Sequence, residues 1–299
     1  SSSCWLAALG PPLQGMVPMR AMRLACAWLL VATLGAAAEA GSPVVLVTGA
    51  TGRTGSLLYR LLKDRKVNVR GLVRNATKAR EVLGCQKCDA AEGIFVGDLL
   101  QEETLLPAME GATALAVVTS AVPVCSGPGF DPSQCKYPTG AKPVDVDFHG
   151  GKAQIEAFAK HGKPGPVVLC SSMGTTNPDS FLEKLGDGHI GFFKLNEEAF
   201  LMSSGLPFTI VKPCGLSNDP AGQKELVVGH DDELHLEPPM IARSDVARVM
   251  AEALLKPQLA AGLRFDLCSR VGTATTDVDQ VFKAARYPWQ RAPEVQLAV

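Results

Sequence analysis

Three glycines spaced three residues apart form the segment TGATGRTG at residues 48–55. In a turn of this kind one glycine permits the tight bend, another lets a pyrophosphate approach bare backbone, and the third lets the next helix pack close to the strand. The anion then meets the free amide groups where that helix begins. The segment therefore predicts a dinucleotide-binding turn. Its predicted binding residues are Gly49, Thr51, Gly52, Arg53, Thr54 and Gly55.

Basic residues follow the next predicted strand, where the ribose of a bound adenosine would lie. Arg74 ends that strand and Lys78 lies just beyond it, while Arg53 belongs to the glycine turn. A carboxylate at the strand end would accept bonds from a free 2′-hydroxyl, whereas an arginine favours a 2′-phosphate. No carboxylate stands at that point, so the sequence predicts NADP(H) rather than NAD(H).

Polar residues follow the ends of two later predicted strands. Ser172 follows the apolar run 166–170, and ligands of open α/β sheets bind beyond the carboxyl ends of the strands. We therefore expect Ser172 to bind a polar group of a substrate, with Asn177 and Asp179 as nearby alternatives. The end of another apolar run is expected to contact the cofactor through Thr119, Ser120 and Ala121.

Strand and helix patterns alternate around these residues. Branched apolar runs predict strands at 44–48, 67–74, 93–98, 114–123, 166–170, 207–213 and 264–268. Helical spacing of apolar residues predicts helices at 56–62, 104–109, 144–161, 192–201, 243–255 and 276–286. The alternation predicts an α/β fold, a Rossmann-type doubly wound parallel sheet in one domain over residues 41–299, with a small C-terminal region on the substrate side.

Details of the helices and loops follow from the same patterns. The helix at 144–161 is predicted to bury Ile155, Phe158 and Ala159, and Ser244 or Asp245 is suited to cap the helix at 243–255. Turn residues and charges dominate two segments, which we predict to be substrate-side loops. These segments are 124–143 and 215–240.

The composition limits the class of partner. The 299 residues are 46% hydrophobic and carry a formal net charge of -1. This balance gives no support for a surface that binds nucleic acid or an acidic membrane. We therefore expect a small-molecule substrate and no nucleic-acid partner.

The first forty residues differ in kind from the rest. A basic start at Arg23 precedes an apolar run that closes on Ala38-Glu39-Ala40, the pattern of a secretory signal peptide. A membrane anchor or part of a plastid presequence is the alternative. The sequence thus predicts a leader over residues 1–40, entry into the secretory pathway or alternatively the plastid, and no stable membrane span in the mature chain.

Nine cysteines occur in the chain. Cys170, Cys214 and Cys268 lie in or beside apolar strand-like runs, where free buried thiols are expected. Two pairs lie in loops and would close local disulfides in an oxidising compartment, Cys85 with Cys88 and Cys125 with Cys135. The CxxC spacing also occurs in zinc and redox sites, but no second CxxC or histidine pair completes four ligands, so no metal is predicted.

Several motifs in order resemble a known family. TGATGRTG, GLVRN, VGD, SSMGTTNPD, TIVKP, ARSDVA and the block from Lys194 to Gly205 are similar to the NmrA-like NAD(P)-binding branch of the atypical short-chain dehydrogenase/reductases. The similarity extends from about Val44 to Arg286 and is closest to small plant and algal NADP-binding proteins, which include alkaloid iminium reductases.

The resemblance implies roles for further residues. Asp98 and Leu99 would contact adenine, and Pro213 stands where relatives contact the nicotinamide through backbone. Lys194 aligns with the lysine of a Tyr-x-x-x-Lys pair, in which the lysine holds the nicotinamide ribose and lowers the tyrosine pKa. Ile190 occupies the tyrosine position, so the usual proton donor is absent.

Three functions remain open on this basis. A reductase would keep Lys194 and Ser172 as its catalytic residues and act on substrates that need hydride more than a proton, such as iminium ions or quinones. A redox sensor would bind NADP(H) without turnover. An epimerase or dehydratase would normally require the missing tyrosine. We predict an NADP(H)-dependent oxidoreductase, with a non-catalytic sensor as the alternative.

Overall fold

The computed structural model describes residues 43–126 and 131–291, so the predicted leader lies outside the described residues. Its centre is a ten-stranded, mostly parallel sheet. Nine strands follow one another across it in the order Ile94–Val96, Asn68–Val73, Val44–Thr48, Ala114–Val117, Val167–Cys170, Phe208–Pro213, Leu263–Arg270, Met240–Ala242 and Gly215–Ser217, and the tenth, Glu225–Gly229, also pairs with Leu263–Arg270. Helices lie on both faces of the sheet, as predicted for a doubly wound α/β fold. None of the helices in these two ranges is long and apolar enough to cross a membrane.

The bounds of the regular elements are as follows. The strands are β1 (Val44–Thr48), β2 (Asn68–Val73), β3 (Ile94–Val96), β4 (Ala114–Val117), β5 (Val124–Cys125), β6 (Cys135–Lys136), β7 (Val167–Cys170), β8 (Phe208–Pro213), β9 (Gly215–Ser217), β10 (Glu225–Gly229), β11 (Met240–Ala242) and β12 (Leu263–Arg270). The helices are α1 (Gly55–Asp64), α2 (Ala76–Leu83), α3 (Leu106–Met109), α4 (Gly150–His161), α5 (Phe181–Lys184), α6 (Ile190–Ser203), α7 (Arg243–Leu255), α8 (Pro257–Ala260) and α9 (Asp279–Ala284). A π-helical segment, Val144–His149, leads directly into α4.

The central strands are buried on both faces. Val45 and Val47 of β1 belong to a cluster with α1 and α7, whereas Leu46 between them belongs to a second cluster with α4 and α6. Because successive side chains of a strand point to opposite faces, a continuous apolar run is what a doubly covered strand requires. Within α4, Ile155 and Phe158 are buried as predicted, but Ala159 is exposed.

The segment 215–240 is not a loop, contrary to the prediction. It contributes β9 and β10 to the sheet, and β11 follows at Met240–Ala242. Strands β10 and β11 both run antiparallel to β12, while β9 pairs parallel with β11. These strands are short and separated by turn residues, so their apolar pattern is too weak to identify them without their partners.

The segment 124–143 forms a disulfide-closed hairpin at its start. Strands β5 and β6 pair antiparallel, and Cys125 bonds to Cys135 across them. The Cys85–Cys88 disulfide is also present, so both loop pairs are joined.

A third disulfide joins Cys214 to Cys268, and the prediction of free thiols at these two positions is wrong. Strand β8 lies parallel to β12 with Pro213 opposite Leu267, so the next residue of each strand is a cysteine and their Cα atoms are 5.3 Å apart. The sequence separates the two by 54 residues and does not reveal this pairing. Cys170 alone among the described cysteines remains free.

Two other local predictions are wrong. Helix α7 has Ala242 rather than Ser244 or Asp245 at its N-cap. The Ser244 hydroxyl instead donates to the Asp219 carbonyl, and Asp245 accepts the amide of Gly222. Strand β4 ends at Val117, so the residues after it form an extended loop end rather than more of the strand.

Candidate functional site

The glycine turn leaves no room for side chains. Gly49 has φ +66°, and a Cβ there would lie 2.8 Å from the Val118 carbonyl oxygen. A Cβ on Gly55 would overlap the carbonyl oxygen of Gly49, because Gly55 is where α1 begins and packs against the turn. The Gly52 amide donates to the Gly49 carbonyl at 2.8 Å. The turn therefore presents bare backbone and a helix N-terminus, which suits a pyrophosphate.

A cleft of about 440 Å³ lies at the carboxyl edge of the sheet beside this turn. It brings together the predicted cofactor-binding and catalytic residues except Gly55, which packs behind the turn. The predicted residues that line it are Gly49, Thr51, Gly52, Arg53, Thr54, Arg74, Asp98, Leu99, Thr119, Ser120, Ala121, Ser172, Lys194 and Pro213. The substrate alternatives Asn177 and Asp179 do not line the cleft; both are exposed, and the Asp179 amide donates to the Asn177 side chain.

Positive charge dominates the cleft. Five cationic side chains and one carboxylate, that of Asp98, are among its lining residues. The cations are Arg53, Arg74, Lys78, Lys194 and Arg243. This balance suits a ligand with several phosphate charges, and the narrow cleft concentrates the field.

The base of the cleft is held by side chains that no sequence motif identified. Gln154 of α4 is fully buried and its Nε2 donates to the Thr119 hydroxyl at 3.1 Å. The Asp98 amide donates to the Thr104 hydroxyl at 2.8 Å, which fixes the loop after β3. These contacts position the ends of β3 and β4 against the cleft.

Lys194 forms a buried ion pair at the inner end of the cleft. Its Nζ lies 2.9 Å from Asp147 Oδ1, and neither side chain is more than 6% exposed. Burial lowers the pKa of Lys194, but the negative charges of Asp147 and Glu197 outweigh that effect, so the pKa is raised above its ordinary value. Asp147 Oδ2 also accepts the Ala121 amide at 2.9 Å. Lys194 is therefore a fixed cation tied to the end of β4.

Two polar groups beside this pair have no hydrogen-bond partner among the described residues. The Glu197 carboxyl is buried against Gly151, and burial raises its pKa well above the usual range. The Tyr137 hydroxyl is buried as well, and burial followed by the charge of Asp147 raises its pKa to about 12. Burial therefore favours the neutral form of both groups, and the ion pair of Lys194 is the one with Asp147.

A second buried carboxylate, Glu198, supports the serine strand end. It accepts hydrogen bonds from the hydroxyls of Ser171 and Thr175, and Arg264 Nε lies 2.8 Å from its other oxygen. Ser172, which follows Ser171 in the chain, lines the cleft, and its hydroxyl donates to the Met173 carbonyl at 2.9 Å. Its hydroxyl oxygen therefore remains available as an acceptor.

A buried charge network connects the serine loop to the C-terminal strands. Lys212 is fully buried, with Nζ 2.8 Å from Asp232 Oδ1 and 3.2 Å from Asp266 Oδ1. Asp232 also accepts the amides of Gly174 and Thr176, each at 2.7 Å. The loop that carries Ser172 is thus held by residues from β8, from β12 and from the segment after β10.

Comparison with known families identifies the fold of this cleft. The family model described as NAD(P)H-binding matches residues 49–257, which includes the glycine turn, Lys194 and the start of α7. The chain belongs to this NAD(P)H-binding family. The match agrees with the resemblance to the atypical short-chain dehydrogenase/reductases.

Two relatives in the family are similar over most of their length. An uncharacterized chloroplastic protein of Arabidopsis thaliana is 41% identical over 261 residues, which are 84% of this chain and 78% of the relative. Sanguinarine reductase of Eschscholzia californica is 37% identical over 272 residues, 82% of this chain and 97% of that enzyme.

Solved structures share the fold at lower identity. A Bacillus halodurans protein described as an NAD-dependent epimerase/dehydratase matches with a TM-score of 0.59 and 24% identity, over 81% of this chain and 99% of its own. A short-chain dehydrogenase/reductase of Veillonella parvula, in complex with NADP, matches with a TM-score of 0.54 and 14% identity, over 78% and 97%. This NAD(P)H-binding protein therefore has the Rossmann-type fold predicted from its sequence.

Proposed function

We propose that this protein is an NADPH-dependent reductase of a small organic acceptor such as an iminium ion or a quinone. The observation that carries the proposal is the inner end of the cleft. Lys194 is held there as a cation by Asp147, Ser172 lines the same cleft, and Ile190 lines it at the position of the family's tyrosine.

The cofactor fits the residues present. The glycine turn would hold the pyrophosphate, and Arg74 with Lys78 would hold the 2′-phosphate at the start of α2, where the Asn75 side chain caps the helix. Bound NADPH supplies a hydride to the acceptor. The preference for NADP(H) over NAD(H) rests on these two basic side chains.

The side chains at the inner end favour a particular class of acceptor. Lys194 remains charged, so it orients the cofactor ribose and stabilises negative charge on an acceptor oxygen without losing its proton. Ile190 has no proton to give. An iminium carbon takes a hydride and needs no proton, and a quinone oxygen is stabilised by the lysine, whereas a simple ketone depends on a proton donor. The Ser172 hydroxyl would form a hydrogen bond with the substrate that takes the hydride, either as donor or as acceptor.

Similarity to sanguinarine reductase supports the reductase class. That relative matches this chain over nearly its whole length.

The test is turnover of residues 41–299 with NADPH and a panel of iminium ions, quinones and ketones. We expect oxidation of NADPH with the first two classes, and Lys194→Met to reduce it by about 100-fold or more. Lys152→Met is the matched control, because Lys152 lies on α4 with its side chain 43% exposed and should leave turnover unchanged. Turnover of ketones alone, or full activity of Lys194→Met, would contradict the proposal.

A non-catalytic NADP(H) sensor is the second candidate, and Ile190 is the observation that favours it. A cleft lined by an apolar side chain at the tyrosine position can bind cofactor without proton transfer. Tight NADPH binding with no turnover across the panel would support the sensor.

We propose that the protein is located in the plastid, which the sequence predicts as the alternative to the secretory pathway. Several relatives are named chloroplastic, including the one at 41% identity. Residues 1–40 fused to a fluorescent protein should then direct it to plastids, and secretion of the fusion would favour the signal peptide instead.

A further inference from the structure

Arg243 is a buried cation in the cleft that belongs to the ARSDVA motif but to which the sequence assigned no role. It is 7% exposed, lines the cleft and begins α7. Its Nη1 donates to Asn218 Oδ1 at 2.7 Å, and no carboxylate of the described residues lies within ion-pair distance of it. Burial of a guanidinium without a negative partner is unfavourable in free energy, so the N–H donors of Arg243 that have no partner in the described part of the chain favour a bound anion.

The position of α7 brings this cation to the glycine turn. Helix α7 packs against α1, and Arg65, which follows α1, bonds to Glu252 near the end of α7 at 2.6 Å. The two helices therefore run in the same direction, and both begin at the cleft. Arg53, in the turn before α1, is close enough for its charge to add to burial in lowering the pKa of Arg243. Two like charges thus converge where α1 presents its free amides.

The guanidinium is held in place from the protein side. Asn218 fixes one of its nitrogens, and Ser244 and Asp245 bind the backbone of Asp219 and Gly222. The segment after β9 is thereby fastened to the start of α7. A side chain fixed in this way loses little entropy when it binds a ligand.

We infer that Arg243 binds the pyrophosphate of NAD(P)H, together with the amide groups of the glycine turn. Guanidinium groups bind phosphate oxygens through paired hydrogen bonds, which a lysine cannot reproduce. The inference rests on NAD(P)H binding and adds to it a residue outside the nucleotide-binding motif, nearly 200 positions from the glycine turn.

Arg243 and Arg74 should contribute to the affinity of different ligands. The pyrophosphate is present in both NADPH and NADH, whereas the 2′-phosphate is present only in NADPH. Arg243 should therefore contribute equally to the two dinucleotides and nothing to 2′-AMP, which has no pyrophosphate. Arg74 should contribute to NADPH and 2′-AMP but not to NADH.

The experiment measures dissociation constants of NADPH, NADH and 2′-AMP by calorimetric titration of residues 41–299, without any substrate. We expect Arg243→Gln to weaken both dinucleotides by about tenfold, as for one charged hydrogen-bonded contact, and to leave 2′-AMP unchanged. Arg74→Gln should weaken NADPH and 2′-AMP only. Arg248→Gln is the matched control on the same helix, because Arg248 is paired with Asp245 at 2.6 Å and does not line the cleft.

Outcomes that overturn the inference differ from those that overturn the proposed function. Arg243→Gln with unchanged affinity for both dinucleotides, or with a loss confined to NADPH, removes the pyrophosphate role. A wild-type chain that binds neither dinucleotide removes cofactor binding itself. If Arg243→Gln does not fold, as judged by thermal unfolding without ligand, Arg243→Lys takes its place. We expect about a threefold loss for both dinucleotides, and unchanged affinity overturns the inference.

Discussion

The two halves of this protein position their ligand-binding groups by different means. In the first half, from β1 to β4, the cleft is formed by backbone: a glycine turn, a helix N-terminus and strand ends. In the second half, from the π-helical segment onward, it is lined by side chains such as Lys194 and Ser172, and buried ion pairs hold the elements that carry them. These pairs are Lys194 with Asp147, Lys212 with Asp232 and Asp266, and Arg264 with Glu198.

The difference has a physical origin. A phosphate is bound by amides whose geometry one short segment determines, so neighbours in sequence suffice. A fixed cation in a buried site needs a counter-charge, and the fold supplies that counter-charge from another element. The cofactor side should therefore be sensitive to single backbone changes, and the acceptor side to removal of distant partners.

The largest effect should come from filling the glycine turn. In Gly55→Val the new side chain would overlap the Gly49 carbonyl, so we expect the free energy of unfolding to fall by about 5 kcal/mol and NADPH affinity by more than about 100-fold. Urea unfolding and NADPH titration measure both. Gly84→Ala is the control, because a Cβ at Gly84 meets no atom within 4 Å and only its positive φ is strained. Equal behaviour of the two variants would refute this view of the cofactor half.

Removal of a buried cation should be the next largest effect. Lys212→Met leaves Asp232 and Asp266 without their shared partner, and we expect a loss of about 4 kcal/mol in the free energy of unfolding. Lys256→Met serves as the comparison: Lys256 also bonds to two carboxylates but is 40% exposed, so this substitution should lower the free energy of unfolding much less. Similar losses for the two lysines would contradict the importance of burial.

The loss of folding stability at low pH should depend on Asp232. Burial alone would raise the pKa of this carboxyl, but Lys212, Thr176 and the Gly174 amide lower it to about 2 from its ordinary 3.8. A lowered folded-state pKa contributes stability above the ordinary pKa and loses it as the pH falls toward the folded value. We expect Asp232→Asn to cost about 2 kcal/mol at neutral pH and to flatten the loss of stability between pH 4 and 2.

Urea unfolding across that pH range makes the measurement. Asp179→Asn, on the same loop but exposed, is the control and should unfold like the wild type. A wild-type chain whose stability is constant from pH 4 to 2 would remove the assignment to Asp232.

The smallest effect should appear in the pH dependence of turnover. In the wild type the folded-state pKa of Lys194 is raised, so its charge, and the stability this contributes, persist until the pH exceeds the ordinary lysine value of 10.5. Asp147→Asn keeps an oxygen for the Ala121 amide but removes the counter-charge, so burial should lower the pKa of Lys194. We expect turnover to fall severalfold at pH 9 with little change at pH 6, because Lys194 loses its charge only where the pH exceeds its lowered pKa.

A pH–rate profile of both proteins measures this difference. Asp145→Asn, two residues earlier in the π-helical segment, is the control, since its carboxylate accepts the Lys142 amide and does not pair with Lys194. A profile of Asp147→Asn that is parallel to the wild type would show that Asp147 does not hold the charge of Lys194.

Prediction from sequence agrees with the structure where an element depends on neighbouring residues. The glycine turn, the apolar strands of the sheet and the basic strand end at Arg74 each follow from a few consecutive residues. Helical and strand periodicity also placed Lys194 on a helix and Ser172 at a strand end, and the structure puts both beside the cleft. The prediction failed for β9 to β11, whose short strands depend on distant pairing: β10 and β11 pair with β12, and β9 pairs with β11.

The sequence by itself thus determined the NAD(P)H-binding fold and its glycine turn, because local backbone geometry and apolar periodicity encode them. Only the tertiary structure decided which side chains meet across the chain, Asp147 with Lys194 and Cys214 with Cys268, and that Arg243 lines the same cleft as the glycine turn. Such pairs depend on strand order and helix packing. The sequence around a charged residue or a cysteine does not identify the partner that the fold brings to it.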